Sequence, residues 1–131
     1  MKIAVSATQP SVDADIDPRF GRCQYFLIID PDTMQFEAIE NAGGMASGGA
    51  GIATAQMIAG KGVEAVITGN CGPNAYQVLS TAGIKVVTGV SGKAQDAVES
   101  YKSGKLQASS QPNVAGHFGM GRGMRRGMGG R

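Results

Sequence analysis

Apolar residues along the chain fall into short blocks whose spacing changes from one half to the other. Lys2 to Ala7 is a short apolar stretch, Tyr25 to Asp30 (Tyr-Phe-Leu-Ile-Ile-Asp) joins aromatic to β-branched residues, and Gln35 to Glu40 follows after the turn-forming Pro31-Asp32-Thr33. These blocks predict three strands, the second and third joined as an antiparallel hairpin. Phe36, Ala38 and Ile39 leave the facing of the third strand open. Beyond it the period becomes helical: Ile52, Ala55, Gln56, Ile58 and Ala59 run up to Gly60-Lys61-Gly62, where glycines supply a C-cap. Val63 to Thr68 then predicts a fourth strand, Asn74 to Ala82 a second helix stopped by Gly83, and Ile84 to Thr88 a fifth strand. Lys93 to Lys102 predicts a third helix, because Ala94, Ala97, Val98 and Tyr101 recur at i, i+3, i+4 and i+7.

The order βββαβαβα implies a meander followed by right-handed parallel crossovers, hence an α/β domain with a five-stranded mixed sheet flanked by helices. If the first strand lies beside the fourth, the first, third, fourth and fifth point one way. The loops Thr8–Pro18, Asn41–Gly51, Asn70–Pro73 and Gly89–Gly92 then share one sheet edge, joined by the entry to the second strand, Arg22-Cys23-Gln24. Ligands of open α/β sheets sit at such edges, and this one would gather three helix N-termini, both cysteines, Arg19 and Arg22.

With 131 residues the chain accommodates one domain and a tail. Residues 1–107 hold 8 Lys/Arg and 10 Asp/Glu, whereas residues 108–131 hold 4 Arg and no acid. A mildly acidic body thus carries a basic tail, rich in Gly and Met, in which Met120, Met124 and Met128 recur every four residues after the lone histidine, His117. Its glycines, costing about 1 kcal/mol each in a helix, predict a flexible segment. Cys23 and Cys71 form no CxxC pair, which argues against a disulfide framework or zinc ribbon and for a reducing cytoplasm. No apolar run reaches the roughly 20 residues of a membrane helix, and Met1-Lys2-Ile3-Ala4-Val5 enters a strand without a signal-peptide design. A cytoplasmic protein with no membrane partner is expected.

Candidate chemistry centres on Gly69-Asn70-Cys71-Gly72-Pro73-Asn74, which reads as strand, tight loop and helix. Uncapped N–H groups and the helix dipole make such a loop a candidate anion site. Cys71 reads either as a small buried apolar plug, as free cysteines commonly are, or, at a helix N-terminus where its thiol should titrate below the usual value of about 8.5, as a soft-metal thiolate. Cys23, beside Tyr25 and Phe26, is the weaker candidate and fits inward packing better. His117 and the tail methionines could form a thioether and imidazole arm; the Arg-Gly segments could contact nucleic acid, although Phe118 is their one stacking aromatic. Asp13-Ala14-Asp15-Ile16-Asp17 opens like a calcium loop, but Pro18 and Gln24 replace the required Gly and Glu, leaving a solvated acidic loop. Gly49-Ala50-Gly51 lacks the third glycine of a dinucleotide fingerprint. A two-metal nuclease would need carboxylates where the first strand offers Ser6, Ala7 and Thr8.

Asp17-Pro18-Arg19-Phe20-Gly21-Arg22 with Tyr25-Phe26, then Gly48-Gly49-Ala50-Gly51, then Gly69-Asn70-Cys71-Gly72-Pro73-Asn74-Ala75 resemble the dinitrogenase iron-molybdenum cofactor biosynthesis family of nitrogenase accessory factors. The similarity spans about residues 1–107. It implies a ribonuclease H-like fold and a non-enzymatic accessory role in binding, carrying or storing a metal–sulfide cluster of iron, molybdenum or copper, with cofactor-assembly proteins as partners. The motif positions Arg19, Arg22, Gly48, Gly49, Gly51, Asn70, Gly72 and Asn74 become the expected cluster site, with Cys71, Cys23 and His117 as metal-ligand candidates. The alternative is an interaction module whose basic tail docks on an acidic partner or nucleic acid. An enzyme using Cys71 as nucleophile would lack a histidine in the body.

Overall fold

The computed structural model describes residues 2–41 and 50–109. Strands β1 (Ile3–Ala7), β2 (Tyr25–Ile29) and β3 (Phe36–Glu40) are followed by helix α1 (Ala50–Ala59), strand β4 (Ala65–Ile67), helix α2 (Pro73–Thr81), strand β5 (Lys85–Val87) and helix α3 (Ala94–Lys102). This is the expected βββαβαβα order. The five strands form one mixed sheet in the order β3-β2-β1-β4-β5. β1 pairs antiparallel with β2 (Val5 opposite Leu27) and parallel with β4 (Val5 opposite Ile67), while β5 continues the parallel half. β1 is thus central, and every one of its five residues is buried.

Helices cover both faces, as the continuous apolar run of β1 requires. On one face Ala4, Phe26, Ile28, Val66 and Val86 pack with Ala55, Ile58, Ala75 and Leu79 of α1 and α2. On the other, Ile3, Val5, Leu27, Ile29, Ile67 and Val87 meet Ala94, Ala97 and Val98 of α3. The period-2 alternation of the strands and the 3.6 period of the helices each find their partner face. The register also resolves β3: Ile39, opposite Phe26, packs against the α1/α2 core, whereas Phe36, opposite Ile29, turns to the α3 side and stays 43% exposed.

The segment between β1 and β2 departs from a solvated acidic loop. Asp13 and Asp15 are exposed, but Ala14 and Ile16 enter the α3-side core and Asp17 is buried. The chain is laced to its surroundings by backbone bonds: the Asp17 N–H donates to the Ser6 carbonyl (2.9 Å), Ile16 to Gly92 (2.8 Å) and Asn70 to Pro18 (2.8 Å). Arg19 and Asn70 form a parallel bridge that ties this segment to the loop after β4. Gly69 permits the approach, since a Cβ there would lie 2.7 Å from the Pro18 Cα. The obstacle is backbone, so it cannot be relieved by a rotamer change.

Gly69→Ala is therefore expected to lower stability by about 1–3 kcal/mol through overpacking. Gly60→Ala, whose added Cβ would meet nothing nearer than 3.5 Å, should stay within about 0.5 kcal/mol of wild type. Urea denaturation of both variants checks the contrast.

Candidate anion cleft at the sheet edge

The carboxyl ends of β1, β4 and β5 do share one edge, and there the bridged loops leave an open cleft of about 260 Å³. Its walls are Phe20 and Gly21 from the loop before β2, Gly51 and Ile52 from the first turn of α1, and Asn70 with Gly72 to Ala75 from the start of α2. The two helices converge closely, a Cβ on Gly51 lying 3.4 Å from that of Ala75. No carboxylate stands among these lining residues.

Gly72 is the N-cap of α2, extended at φ −73° and ψ 169°, and offers no side-chain cap; Pro73 occupies the first turn. Pro fits that position because it has no N–H to strand. The Tyr76 N–H closes the first turn, donating to the Gly72 carbonyl at 2.9 Å. By helix geometry the N–H groups of Asn74 and Ala75 have no intrahelical acceptor, and both residues line the cleft. Glycine at the cap leaves room for an outside anion where Ser or Asp would supply an internal one.

Three helix N-termini are expected at this edge, but that of α3 is closed. The Ala94 and Gln95 N–H groups donate to the carbonyls of Ala14 and Val12, both at 2.9 Å. A peptide segment that looks like loop in the sequence acts as that helix's cap.

Arg19 lies on the rim, yet its guanidinium is committed. Its Nη2 and Nε donate to the two Asp17 carboxylate oxygens at 3.0 and 3.1 Å, and its backbone N–H reaches Oδ1 at 2.9 Å. Burial alone would raise the Asp17 carboxyl, but these bonds and the adjacent positive charge outweigh it and hold the group below its ordinary value. The pair makes a fixed dipole, with Arg19 outward (side chain 65% exposed) and Asp17 inward. Arg22 is exposed, three positions further along the same loop.

The Cys71 thiol behaves differently from a helix-terminal thiolate, whereas Cys23 packs inward, the reading its sequence context favours. Cys71 is 1% exposed and belongs to the α1/α2 core, and burial pushes its thiol up to about 12 instead of down. Desolvation of the charged form outweighs the helix dipole because the side chain tucks beneath the loop. Cys23 is also buried, beside Phe20 and Phe26 in the same core; burial, followed by the Asp17 charge, raises its thiol to about 12. The two are not joined as a disulfide. Among the described residues no three His, Cys, Asp or Glu side chains gather as a metal site. Gly48, Gly49 and His117, with the rest of the segment beyond residue 109, lie outside the described residues.

A polar network that the sequence patterns do not reveal braces the cleft. The Asn41 side-chain amide donates to the carbonyls of Gly21 (3.2 Å) and Cys23 (2.9 Å), and its oxygen accepts the Thr54 hydroxyl at 2.9 Å. Asn41 thus ties the end of β3 to the Phe20–Cys23 turn and to α1. Thr54 within a largely apolar helix is the one available signal. A second buried link joins β1 to the end of β4, the Ser6 hydroxyl lying 2.8 Å from Thr68 Oγ1 and 2.7 Å from the Asp17 carbonyl.

An α/β domain whose sheet edge carries an acid-free cleft at a helix N-terminus has the chemistry to accept an anion. Comparison with known proteins narrows the class: the chain belongs to the family described as dinitrogenase iron-molybdenum cofactor, whose model matches residues 1–104. An uncharacterised protein of Methanocaldococcus jannaschii is 34% identical over 110 residues, covering 82% of this chain and 90% of its own. Among solved structures, the apo form of the orange protein from Desulfovibrio gigas superposes with a TM-score of 0.82 at 39% identity, covering 86% of this chain and 95% of that one. A Thermotoga protein provisionally named NifB gives 0.69 at 31% identity, over 82% and 91% of the two chains. Across the described residues no helix is long and apolar enough to cross a membrane.

Neither thiol should react with an aromatic disulfide reagent at pH 8 until denaturant opens the core, because almost no thiolate exists when the value is about 12. Stoichiometric labelling of the native protein would contradict this. Asp17→Asn should cost about 1.5–3 kcal/mol at pH 7 by weakening hydrogen bonds to a charged group. Since folding depresses the Asp17 value, its stabilisation is complete above the unfolded value of about 3.9 and disappears as pH falls through the folded one. The stability gap between wild type and variant, followed by denaturation at decreasing pH, should close in that acid range.

Proposed function

We propose that the protein binds and carries an anionic metal–sulfide cluster at the cleft between α1 and α2, as a non-enzymatic accessory of iron-molybdenum cofactor assembly. The observation that carries this reading is the uncapped start of α2, opening into a cleft with no carboxylate in its lining. Such a site attracts negative charge through N–H donors and the helix dipole. The family and the neighbour solved as an apo form support a cargo; iron, molybdenum and copper sulfides all fit the chemistry, and a cofactor-assembly protein would be the recipient.

The cluster is held chiefly from outside its metal ions, by the Asn74 and Ala75 amides, with Gly51 allowing close approach and Arg22, together with the outward end of the Arg19–Asp17 dipole, supplying positive charge at the rim. Coordination by Cys71 needs the Asn70–Gly72 turn to swing out, since the thiol begins in the core. The strand order and the three helices support a ribonuclease H-like classification, without nuclease chemistry: Ser6 stands where that activity needs a carboxylate, and its hydroxyl is spent on Thr68 and Asp17. The protein would work in the cytoplasm, where oxygen-sensitive clusters are assembled under reducing conditions.

Gly72→Asp tests the site directly. An added Cβ there meets nothing within 4 Å, and the backbone is already extended as an N-cap requires. The new carboxylate should cap α2, raising stability by about 0.5–1 kcal/mol, while taking the anion's place. After anaerobic reconstitution with iron, sulfide and molybdate, wild type should retain metal through desalting and the variant should retain about tenfold less. Equal metal content in the two proteins, measured by elemental analysis, would remove the basis for this site.

A further inference from the structure

The two edge strands of the sheet, β5 and β3, are finished differently. Along β5, the Lys85 N–H and the Val87 carbonyl bond toward the β4 side, with Glu64 and Thr68, so the Val86 carbonyl points outward; there it accepts the Ser109 N–H at 2.7 Å. The chain itself covers that edge. Along β3, nothing among the described residues does so. Its ladder with β2 runs from Asp30, whose N–H donates to the Gln35 carbonyl at 2.9 Å, to Asn41, whose N–H donates to the Gln24 carbonyl at 3.0 Å. Hydrogen-bonded and non-hydrogen-bonded pairs alternate in an antiparallel ladder, so Ile28–Glu37 and Phe26–Ile39 are the bonded pairs between those ends. The N–H and C=O groups of Phe36, Ala38 and Glu40 therefore point away from β2, along five residues in unbroken register.

An unpaired strand edge is a template for another strand, and natural sheets block such edges with charge, proline, bulges or a covering segment. β3 carries charge of one sign. Residues 25–40 contain Asp30, Asp32, Glu37 and Glu40 and no Lys, Arg or His, and both glutamates are exposed. They lie on opposite faces of the strand. Glu40 shares the α3 side with Phe36, which is 43% exposed, and Glu37 shares the α1/α2 side with Ile39. A second copy paired on this edge would double the glutamates along one seam, and like charges across strands repel. A basic strand would convert the same glutamates into cross-strand ion pairs.

We propose that β3 is a docking edge for an extended basic segment of a partner protein. The segment adds antiparallel to β3 through the outward main-chain groups of Phe36, Ala38 and Glu40, with Lys or Arg opposite Glu37 and Glu40 and apolar side chains opposite Phe36 and Ile39. Main-chain bonds supply the attachment, and the acidic side chains select a basic strand over a second copy. The contact is independent of what the cleft carries.

The probe is the capped peptide Thr-Lys-Val-Thr-Lys-Val-Thr, whose central threonine falls opposite Ala38 when its lysines face the glutamates. In nitrogen-15 spectra of the full chain at low salt, it should shift the amides of Phe36, Ala38 and Glu40 and slow their exchange with solvent. Replacing both of its lysines by glutamate should weaken binding about tenfold. Methylating the nitrogen of its central threonine removes a main-chain donor without changing charge, and should weaken binding by a similar factor. The double variant Glu37→Lys with Glu40→Lys, altered only at exposed positions, should reverse the preference and take the acidic peptide. An equal response to the two peptides, or none at millimolar concentration, overturns the proposal. Indifference to methylation, or shifts that bypass those three amides, overturns strand addition. Concentration-dependent self-association of the wild type that shifts the same amides would put a second copy on the edge and overturn the basic partner.

Discussion

The approach of Pro18 to Gly69 governs the edge of the sheet where the cleft lies. Two loops that leave different strands are zipped together by backbone bonds between Pro18, Phe20 and Asn70, and the zipper closes only because residue 69 has no side chain. The two loop walls of the cleft inherit their position from this contact. Phe20 and Gly21 form one wall because the segment before them is pinned, and Asn70 to Gly72 enter α2 at a fixed angle because the same pin holds them from the other side. The Asp17–Arg19 pair acts in the same place, burying a carboxylate that its neighbour's guanidinium and amide satisfy. A buried carboxylate without those partners would be costly.

Electrostatics at the cleft come from the backbone more than from side chains. α3 spends its first-turn N–H groups on the carbonyls of Val12 and Ala14, whereas α2 begins with glycine and proline and has no side-chain cap. The contrast between a closed and an open helix start is what makes α2, and not α3, the candidate for holding an anion. Cys71 shows the same competition from the opposite direction. A dipole favours its thiolate, but the dipole effect is worth about 0.3–1 kcal/mol at an exposed position, and burying a charge costs several times that. Burial therefore prevails, and the thiol packs as a small apolar group.

The arrangement suits the carrier role proposed above. A site that holds cargo by N–H groups and charge, without strong covalent ligands from the folded body, can release it intact to another protein. The exposed Phe36 on β3 lies at the opposite side of the sheet from β5, where Ser109 leads the chain toward its methionine-bearing end.

Much of this fold is written in local patterns. The three β-rich blocks, the change from period 2 to period 3.6 and the glycines after the helices are short-range signals, and they set the element order and the shared edge of the sheet. The uncapped Gly-Pro start of α2 is equally legible, because a missing cap is a property of adjacent residues. Side-chain direction is not. Whether Cys71 faces solvent or core depends on how α1 and α2 pack over β1 and β4, and whether Arg19 is available depends on the burial of Asp17, two residues away but turned inward. Asn41 and Thr54 meet across 13 positions, and the acidic stretch Asp13–Asp17 reads as solvated until Ala14 and Ile16 find the core that α3 completes. Such contacts follow from which elements become neighbours, and that is decided by the packing of the whole chain.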